Sequence, residues 1–303
     1  MTTHWRVARV ILGLMICGGG GRAADVSFDQ LTQDANGDIW ASSLSRKGNF
    51  ARRDGEGWQW MPVAELHDAT PVSLLALRDG SLACLWNGDG GETGALSRHH
   101  QGEAPASLRF AATLKEPHLL ERRDGSVVIT ERGPTVIQAK WDAGARVSKI
   151  PDDLFRTPPK QNDSKERSYA PIRVLEDERQ QLLLWSFALE QSDYQWRLGS
   201  LVTTNSDSGF ERFEVAGIEE DTRISDIMAV DGRSLWVALV GTGIVLLDVD
   251  TRQLAPVRVP DDKPFQYVEQ IFRDGADFYV VTCPRPSEFG SSPNSVRIAG
   301  RIS

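Results

Sequence analysis

The fold is decided by the stretch Ile224-Ser225-Asp226-Ile227-Met228-Ala229-Val230, Asp231-Gly232-Arg233, Ser234-Leu235-Trp236-Val237-Ala238-Leu239-Val240, Gly241-Thr242-Gly243, Ile244-Val245-Leu246-Leu247-Asp248-Val249, followed by Leu254 to Val259. Its apolar runs are six or seven residues long, rich in Val, Ile, Leu and Trp, and punctuated by Asp and Gly. That length and punctuation favour strands over helices. The stretch predicts four antiparallel strands, 224–230, 234–240, 244–249 and 254–259, in about 36 residues. The unbroken apolar run from Leu235 to Val240 suits a strand covered on both faces.

The same pattern recurs outward in both directions. The first unit reads Leu31-Thr32-Gln33-Asp34-Ala35-Asn36-Gly37-Asp38-Ile39-Trp40, with strands expected at 28–33, 38–44, 49–53 and 58–63. Further units are marked by Asp79-Gly80, Asp124-Gly125, Glu178-Arg179, Asp231-Gly232 and Asp274-Gly275, each followed by an apolar strand. Turn-to-turn steps from Gly37 through Gly80, Gly125, Arg179, Gly232 and Gly275 are 43, 45, 54, 53 and 43 residues. Such periods belong to propeller blades. A two-residue hairpin needs positive φ at both central positions, which Asn, Asp and Gly tolerate best, and this is the expected turn here. The expected fold is therefore all-β, a single β-propeller over residues 25–303 with six blades of four antiparallel strands, about 46 residues each. Seven blades stay open, because the stretched fourth repeat could hold part of another. The last unit offers strands at 267–272, 277–282 and 295–302, so either residues near Val26 supply its fourth strand or that blade is short.

Two of these units carry a family resemblance. Asp34-Ala35-Asn36-Gly37-Asp38-Ile39-Trp40-Ala41, and Asp231 to Ala238 followed by Gly241-Thr242-Gly243-Ile244, resemble the propeller repeat of bacterial two-component regulators. The resemblance implies an extracytoplasmic, sensor-type propeller. No membrane helix, kinase or DNA-binding region follows the repeats, so only the propeller is carried over. The chain is also similar in length and Asp-Gly-Trp spacing to streptogramin-lyase-like and NHL-like propellers, which would imply an enzyme using a histidine and a magnesium ion. His67, His99, His100 and His118 do not map onto such a set. His99 and His100 are adjacent, point oppositely on a strand, and read as a solvated turn.

Residues 1–24 have the order of a secretory signal peptide: Arg6 and Arg9, an apolar core from Val10 to Cys17, then glycines and Ala23-Ala24. That core is too short for a bilayer span, and no other run approaches the roughly 20 apolar residues one needs. Leu14-Met15-Ile16-Cys17 resembles a lipoprotein box, with Ile16 where the family has a small residue, so lipid attachment at Cys17 is the less favoured alternative to cleavage. Cleavage removes three of 34 cations and none of 42 acids, moving the formal charge from −8 to −11. This excludes a phosphate-backbone binder, whose affinity comes from excess Lys and Arg. The expected product is a periplasmic or secreted monomer. Its two remaining cysteines, Cys84 and Cys283, lie in separate units and are expected to stay unbridged.

Catalytic motifs are missing from the sequence. It has no phosphate loop, nucleophile elbow, zinc-type His-Glu-x-x-His or Cys-x-x-Cys. The loop Gly88 to Gly94 offers Asp89 and Glu92 to calcium, but lacks calcium-loop spacing and reads as a hairpin connection. No cofactor and no metal are expected, and the turn aspartates are read as structural. Trp58 and Trp60 share one face of an outer strand.

Two segments break the period. Leu154 to Pro171 is a long polar connection containing Lys160 and Arg167, and Ala188 to Gly199 lengthens a turn of the fourth unit with Asp193, Tyr194, Trp196 and Arg197. In propellers both kinds of loop emerge around one mouth of the channel. Aromatic and arginine groups there suit a glycan, peptide or polar small molecule. These six residues form the candidate ligand-binding site, although an ordinary insertion with a packed aromatic accounts for the same residues. Cys283 to Ser295 is a third irregular loop of the same rim. The expected function is a noncatalytic propeller binding a small molecule, glycan or protein, with a lyase or hydrolase acting on a glycan or lactone-like substrate as the alternative.

Overall fold

The computed structural model describes residues 29–34, 36–54, 57–88, 93–100, 103, 105–112, 114–155, 167–169, 172–190, 195–204, 209–218, 222–231, 233–257, 268–274 and 277–282. The signal peptide, Cys17, the expected strand 295–302 and the loop 283–295 lie outside the described residues. The chain divides into two compact units, residues 1–131 with 135–148, and residues 132–134 with 149–303.

The first unit is a succession of three antiparallel sheets. They are β1 (Gln30–Gln33), β2 (Ile39–Ser42), β3 (Asn49–Asp54) and β4 (Gly57–Pro62); then β5 (Thr70–Ala76), β6 (Leu82–Asn87), β7 (Gly94–His99) and β8 (Ala106–Phe110); then β9 (His118–Glu121), β10 (Val127–Thr130), β11 (Thr135–Lys140) and β12 (Gly144–Lys149). Each pairs in sequence order, as a chain of hairpins does. The second unit begins with the one-turn helix α1 (Asp152–Phe155) and a five-stranded sheet of β13 (Arg167–Tyr169), β14 (Arg173–Glu176), β15 (Leu182–Glu190), β16 (Gln195–Thr204) and β17 (Phe210–Arg212). It continues with β18 (Ile224–Ala229), β19 (Ser234–Leu239), β20 (Gly243–Asp248) and β21 (Gln253–Pro256), then the pair β22 (Val268–Asp274) and β23 (Asp277–Thr282).

The protein is therefore all-β, built of antiparallel blade-sized sheets consistent with a propeller. Among the described residues the count of complete blades is five, not six. The sixth repeat contributes only the two-stranded β22–β23 sheet among the described residues, and no sheet closes on itself. Among the described residues the extra length of the fourth repeat goes into β13 and into nine- and ten-residue strands β15 and β16.

Packing explains the unbroken apolar runs. On β6, Leu82, Cys84 and Trp86 pack with Phe50, Val63 and Leu66 from the first sheet and its exit loop, while Ala83 and Leu85 pack with Leu119, Val127 and Ile129 of the third. On β19, Leu235 and Val237 join Trp185, Leu183 and Phe213, while Trp236 and Ala238 join Val268, Ile271 and Val280. Alternate residues of one strand thus serve two cores, and no position between them is free to be polar.

The turns differ from the expectation in one respect. In the second unit of the repeat, Gly80 N–H donates to Leu77 O, and Leu77 N–H to Ser81 O. Only the glycine is left-handed, with φ +83°, and Asp79 is not. This is a three-residue loop with a glycine bulge, not a two-residue turn with two positive φ values. The aspartate instead secures the loop from its side chain. Its Oδ1 accepts from Ser81 N–H and Oγ–H, as that of Asp124 does from Ser126. In the first unit Asp34 does more, holding Asn36 and Asp38 N–H on Oδ1 and the Trp40 indole on Oδ2, which accounts for the Asp-to-Trp spacing. In the fourth repeat the left-handed residue is Gln180, φ +63°, one place beyond Arg179.

Two substitutions of opposite sign follow from this geometry. Gly80→Ala puts a Cβ on a left-handed residue and should lower stability by about 1 kcal/mol, whereas Gln180→Gly should raise it by up to about 1 kcal/mol. Urea unfolding midpoints of the two variants against the parent check both.

Candidate functional site

Counting back four residues from the hairpin-closing positions Asp34, Leu77, Arg122, Asp177 and Val230 gives Gln30, Ser73, His118, Arg173 and Asp226. All are polar and all stand on the first strand of a sheet. The residues that follow them, Leu31, Leu74, Leu119, Val174 and Ile227, are all apolar. Gln30 is paired with Ser42 and His118 with Thr130, the last residues of β2 and β10. Gln30, His118 and Arg173 therefore open their strands, at the end where the chain arrives from the preceding sheet, while Ser73 and Asp226 stand fourth and third in theirs. The loops between second and third strands emerge at that same end, the one expected to carry a ligand.

In each unit these side chains tie neighbouring first strands together. Gln30 on β1 donates from Nε2 to Val72 O at 2.8 Å and accepts Leu74 N–H on Oε1 at 3.0 Å, both on β5. In the second unit Asp226 on β18 accepts Arg173 Nη1 of β14 at 2.5 Å and its neighbour Ile227 N–H at 3.0 Å on Oδ1, and Ile271 N–H of β22 at 2.9 Å on Oδ2. Arg173 Nη1 also donates to Ile227 O at 3.3 Å. β-Bulges between Pro71 and Ser73 and between Ile224 and Asp226 fall just before the polar positions of β5 and β18 and re-aim those side chains. The Asp226 side chain is 4% exposed and that of Arg173 is 25% exposed. A buried carboxylate held by three donors, one on its own strand and one on each of two neighbouring strands, is a tie between those strands.

A second buried cluster sits between the first two sheets. Ser97 is fully buried, and its Oγ accepts Trp86 Nε1–H at 2.7 Å and stands 2.7 Å from His99 Nε2. The His99 ring lies 4.5 Å from the Phe50 ring, and burial lowers its pKa from 6.5 to about 4. The serine and histidine have the types of a nucleophile and base, but a fully buried hydroxyl cannot meet a substrate. The structure corrects the reading of His99-His100 as a solvated turn: His99 ends β7 inside the seam and only His100 is exposed. Cys84 is a free, buried thiol, as expected, and burial raises its pKa well above the usual value.

The six expected ligand residues divide. Asp193, Tyr194 and Lys160 lie outside the described residues. Arg167 falls on β13, and Trp196 and Arg197 on β16, so what reads as a lengthened turn is a lengthened pair of strands. The register runs Arg167 to Glu190 to Gln195, Ser168 to Leu189 to Trp196, and Tyr169 to Ala188 to Arg197 across β13, β15 and β16. The two off-period segments of the sequence thus pair with each other. Arg173 is opposite Trp185, so the β15–β16 hairpin continues five residues past the polar position of its own sheet, about 17 Å at the usual strand rise. Sequence reading missed Arg173 and Asp226. The available signal was the polar residue recurring at one fixed distance before each turn within apolar strands.

Among the described residues no group of three or more His, Cys, Asp or Glu side chains could hold a metal ion. Asp89 and Glu92 lie outside them. No helix among them is long and apolar enough to cross a membrane.

No family model and no curated protein sequence matches the chain. Among solved structures it is similar to PorZ, an essential bacterial surface component of the type-IX secretion system of Porphyromonas gingivalis, with 12% identity and a TM-score of 0.48 over 87% of this chain and 38% of that one. It is similar to Saccharomyces cerevisiae Sqt1, with 12% identity and a TM-score of 0.48 over 84% of this chain and 68% of that one. It is also similar to the extracellular domain of a hybrid two component system from B. thetaiotaomicron, with 13% identity and a TM-score of 0.33 over 88% and 42% of the two chains. The chain spans less than half the length of the first and third of these structures.

Removing the tie should cost more than removing a surface pair. Asp226→Ala is expected to destabilise the second unit by about 3 kcal/mol or more, because it removes the buried carboxylate that Arg173 and two strand N–H groups share. The exposed pair partner change Glu178→Ala should cost under about 1 kcal/mol. Denaturant melts of both variants check the contrast.

Proposed function

We propose that this chain is an exported, noncatalytic binding protein, with residues 1–24 removed on export, that takes a glycan, peptide or polar small molecule on the sheet extension formed by β13 and the ends of β15 and β16. The pairing of Arg167–Tyr169 with Ala188–Glu190 carries this reading. Two segments that depart from the repeat in sequence meet in one sheet, at the end of the first strands where the polar positions lie. Repeat scaffolds bind through such departures, since the repeated positions are committed to packing. Arg167, Trp196 and Arg197 stand on this extension, with Asp193 and Tyr194 between β15 and β16 in the sequence and Lys160 before β13. Trp, Tyr and Arg supply planar contact area with hydrogen-bonding edges, which is the chemistry that sugars and peptides need. A noncatalytic role accords with the described polar clusters, in which Asp226 and Ser97 are buried and committed to structural bonds.

The reading is tested by replacing residues 187–198 with an Asn-Gly turn and comparing parent and variant on arrays of oligosaccharides and peptides. Binding by the parent and at least tenfold weaker binding by a variant of unchanged melting temperature is the expected result. Turnover of an arrayed glycan or lactone by the parent, or equal binding by the truncated variant, would overturn it.

A further inference from the structure

We infer that the outer edge of the first sheet carries a binding site of its own, for a polysaccharide with a carboxylate on each sugar, made by Trp58 and Trp60 of β4 with Arg53 and Arg46 beside them. β4 ends the order β1-β2-β3-β4 and is the outer strand of that sheet. Residues two apart on a strand share a face, and across the register Trp58 is opposite Arg53 and Trp60 opposite Ala51 of β3. Ala51 is in turn opposite Ala41 of β2. On the alternate face Trp40, Phe50 and Met61 pack with Leu82, Cys84 and Trp86 of the second sheet. The two rings therefore stand on the face turned away from that sheet. Both are partly exposed, and neither packs in the cores described above.

The arginines beside these rings are placed unlike others of the chain. Arg52, Arg78, Arg98, Arg173, Arg179 and Arg233 each lie against a carboxylate. Arg46 and Arg53 are exposed, and among the described residues neither has an ion-pair partner, although the chain has 42 acids to 34 cations. Arg53 is placed by the register opposite Trp58, where facing Cβ atoms lie about 5 Å apart. Arg46 comes from the loop between β2 and β3 and lies 5.1 Å over the Trp60 ring. Stacking holds a guanidinium by its plane and leaves its N–H groups directed outward in that plane, where two of them take a carboxylate. Trp58 with Arg53 and Trp60 with Arg46 thus repeat one ring-and-cation pair at two places about 7 Å apart along the strand.

That repetition selects the ligand. Anions spaced along a chain answer two unpaired guanidinium groups, and the apolar C–H faces of sugar rings answer tryptophan. A neutral glycan would leave the arginines unanswered. An acidic peptide would answer them, but a peptide laid along a strand edge takes its specificity from pockets for alternate side chains. The positions inward of Trp60 are Ala51 and Ala41, both 0% exposed. A polymer of flat, charged rings needs no such pocket. The site shares no residue with the extension formed by β13, β15 and β16.

Titration calorimetry of the full chain with oligogalacturonate, with the same oligomer methyl-esterified at every carboxylate, and with polyglutamate tests this. Oligogalacturonate should bind, and the ester and polyglutamate should bind at least about tenfold more weakly. Arg53→Gln, Arg46→Gln and Trp58→Ala, at unchanged melting temperature, should each weaken oligogalacturonate binding by about tenfold. Arg146→Gln, at an exposed arginine of β12, and the replacement of residues 187–198 should leave it unchanged. Absence of binding, equal binding of the ester or of polyglutamate, undiminished binding by the arginine variants, or an equal loss in Arg146→Gln would overturn the inference. Loss of binding on replacing residues 187–198 would also overturn it, by assigning the ligand to the β13 extension. If Trp58→Ala does not fold, the two arginine variants decide.

Discussion

The middle strands β6 and β19 have two apolar faces, and water can be given neither. That constraint organises the rest. Trp86 and Leu85 are neighbours in sequence but belong to different cores, as do Trp236 and Val237. A sheet of this kind is not stable alone. It requires a sheet on each side, which is why the chain repeats one unit and why the repeats follow one another in space within each compact unit.

With both faces committed, polar groups are left with the strand ends. At the turn end, aspartates hold the N–H groups of their own hairpins, and charged residues reach the next sheet, as Arg78 does to Glu121 and Arg233 to Glu178. Burial raises the pKa of Glu121 in spite of the Arg78 N–H and guanidinium beside it, so this contact has desolvation working against it. At the opposite end, Gln30 and Asp226 reach across to first-strand backbone groups. They satisfy donors and acceptors of the neighbouring strand where the bulges interrupt ordinary pairing. The His99 and Ser97 contact is the exception, a polar pair at the seam, where burial lowers the pKa of His99.

Much of the architecture was legible because it is local. Strand 277–282 and the hairpin from Ile224 to Asp248 fall where apolar runs and turn residues put them. Turn type was misread because Asp-Gly serves both a two-residue turn and a three-residue loop with a bulge. The two differ only in the register of the strands that the turn closes. The complete-blade count came out too high because a repeat signal near Gly275 marks one hairpin and says nothing of a third or fourth strand. Of the candidate site, Arg167, Trp196 and Arg197 were singled out by their departure from the period, but their meeting through β13 and β15 was not visible, since Arg167 and Glu190 are 23 residues apart in the chain.

By itself the sequence determined an all-β chain of repeated antiparallel sheets, the places of its turns, and the two segments that depart from the repeat, because each depends on residues close together in the chain. Tertiary structure alone decided which polar side chains join neighbouring strands. Arg173 meets Asp226, and Asp226 meets Ile271, only because the second unit's sheets pack side by side and a bulge turns one carboxylate through the gap between them. Distances of 53 and 45 residues along the chain are closed by burial of apolar faces that contain neither partner, and no local pattern records such a meeting.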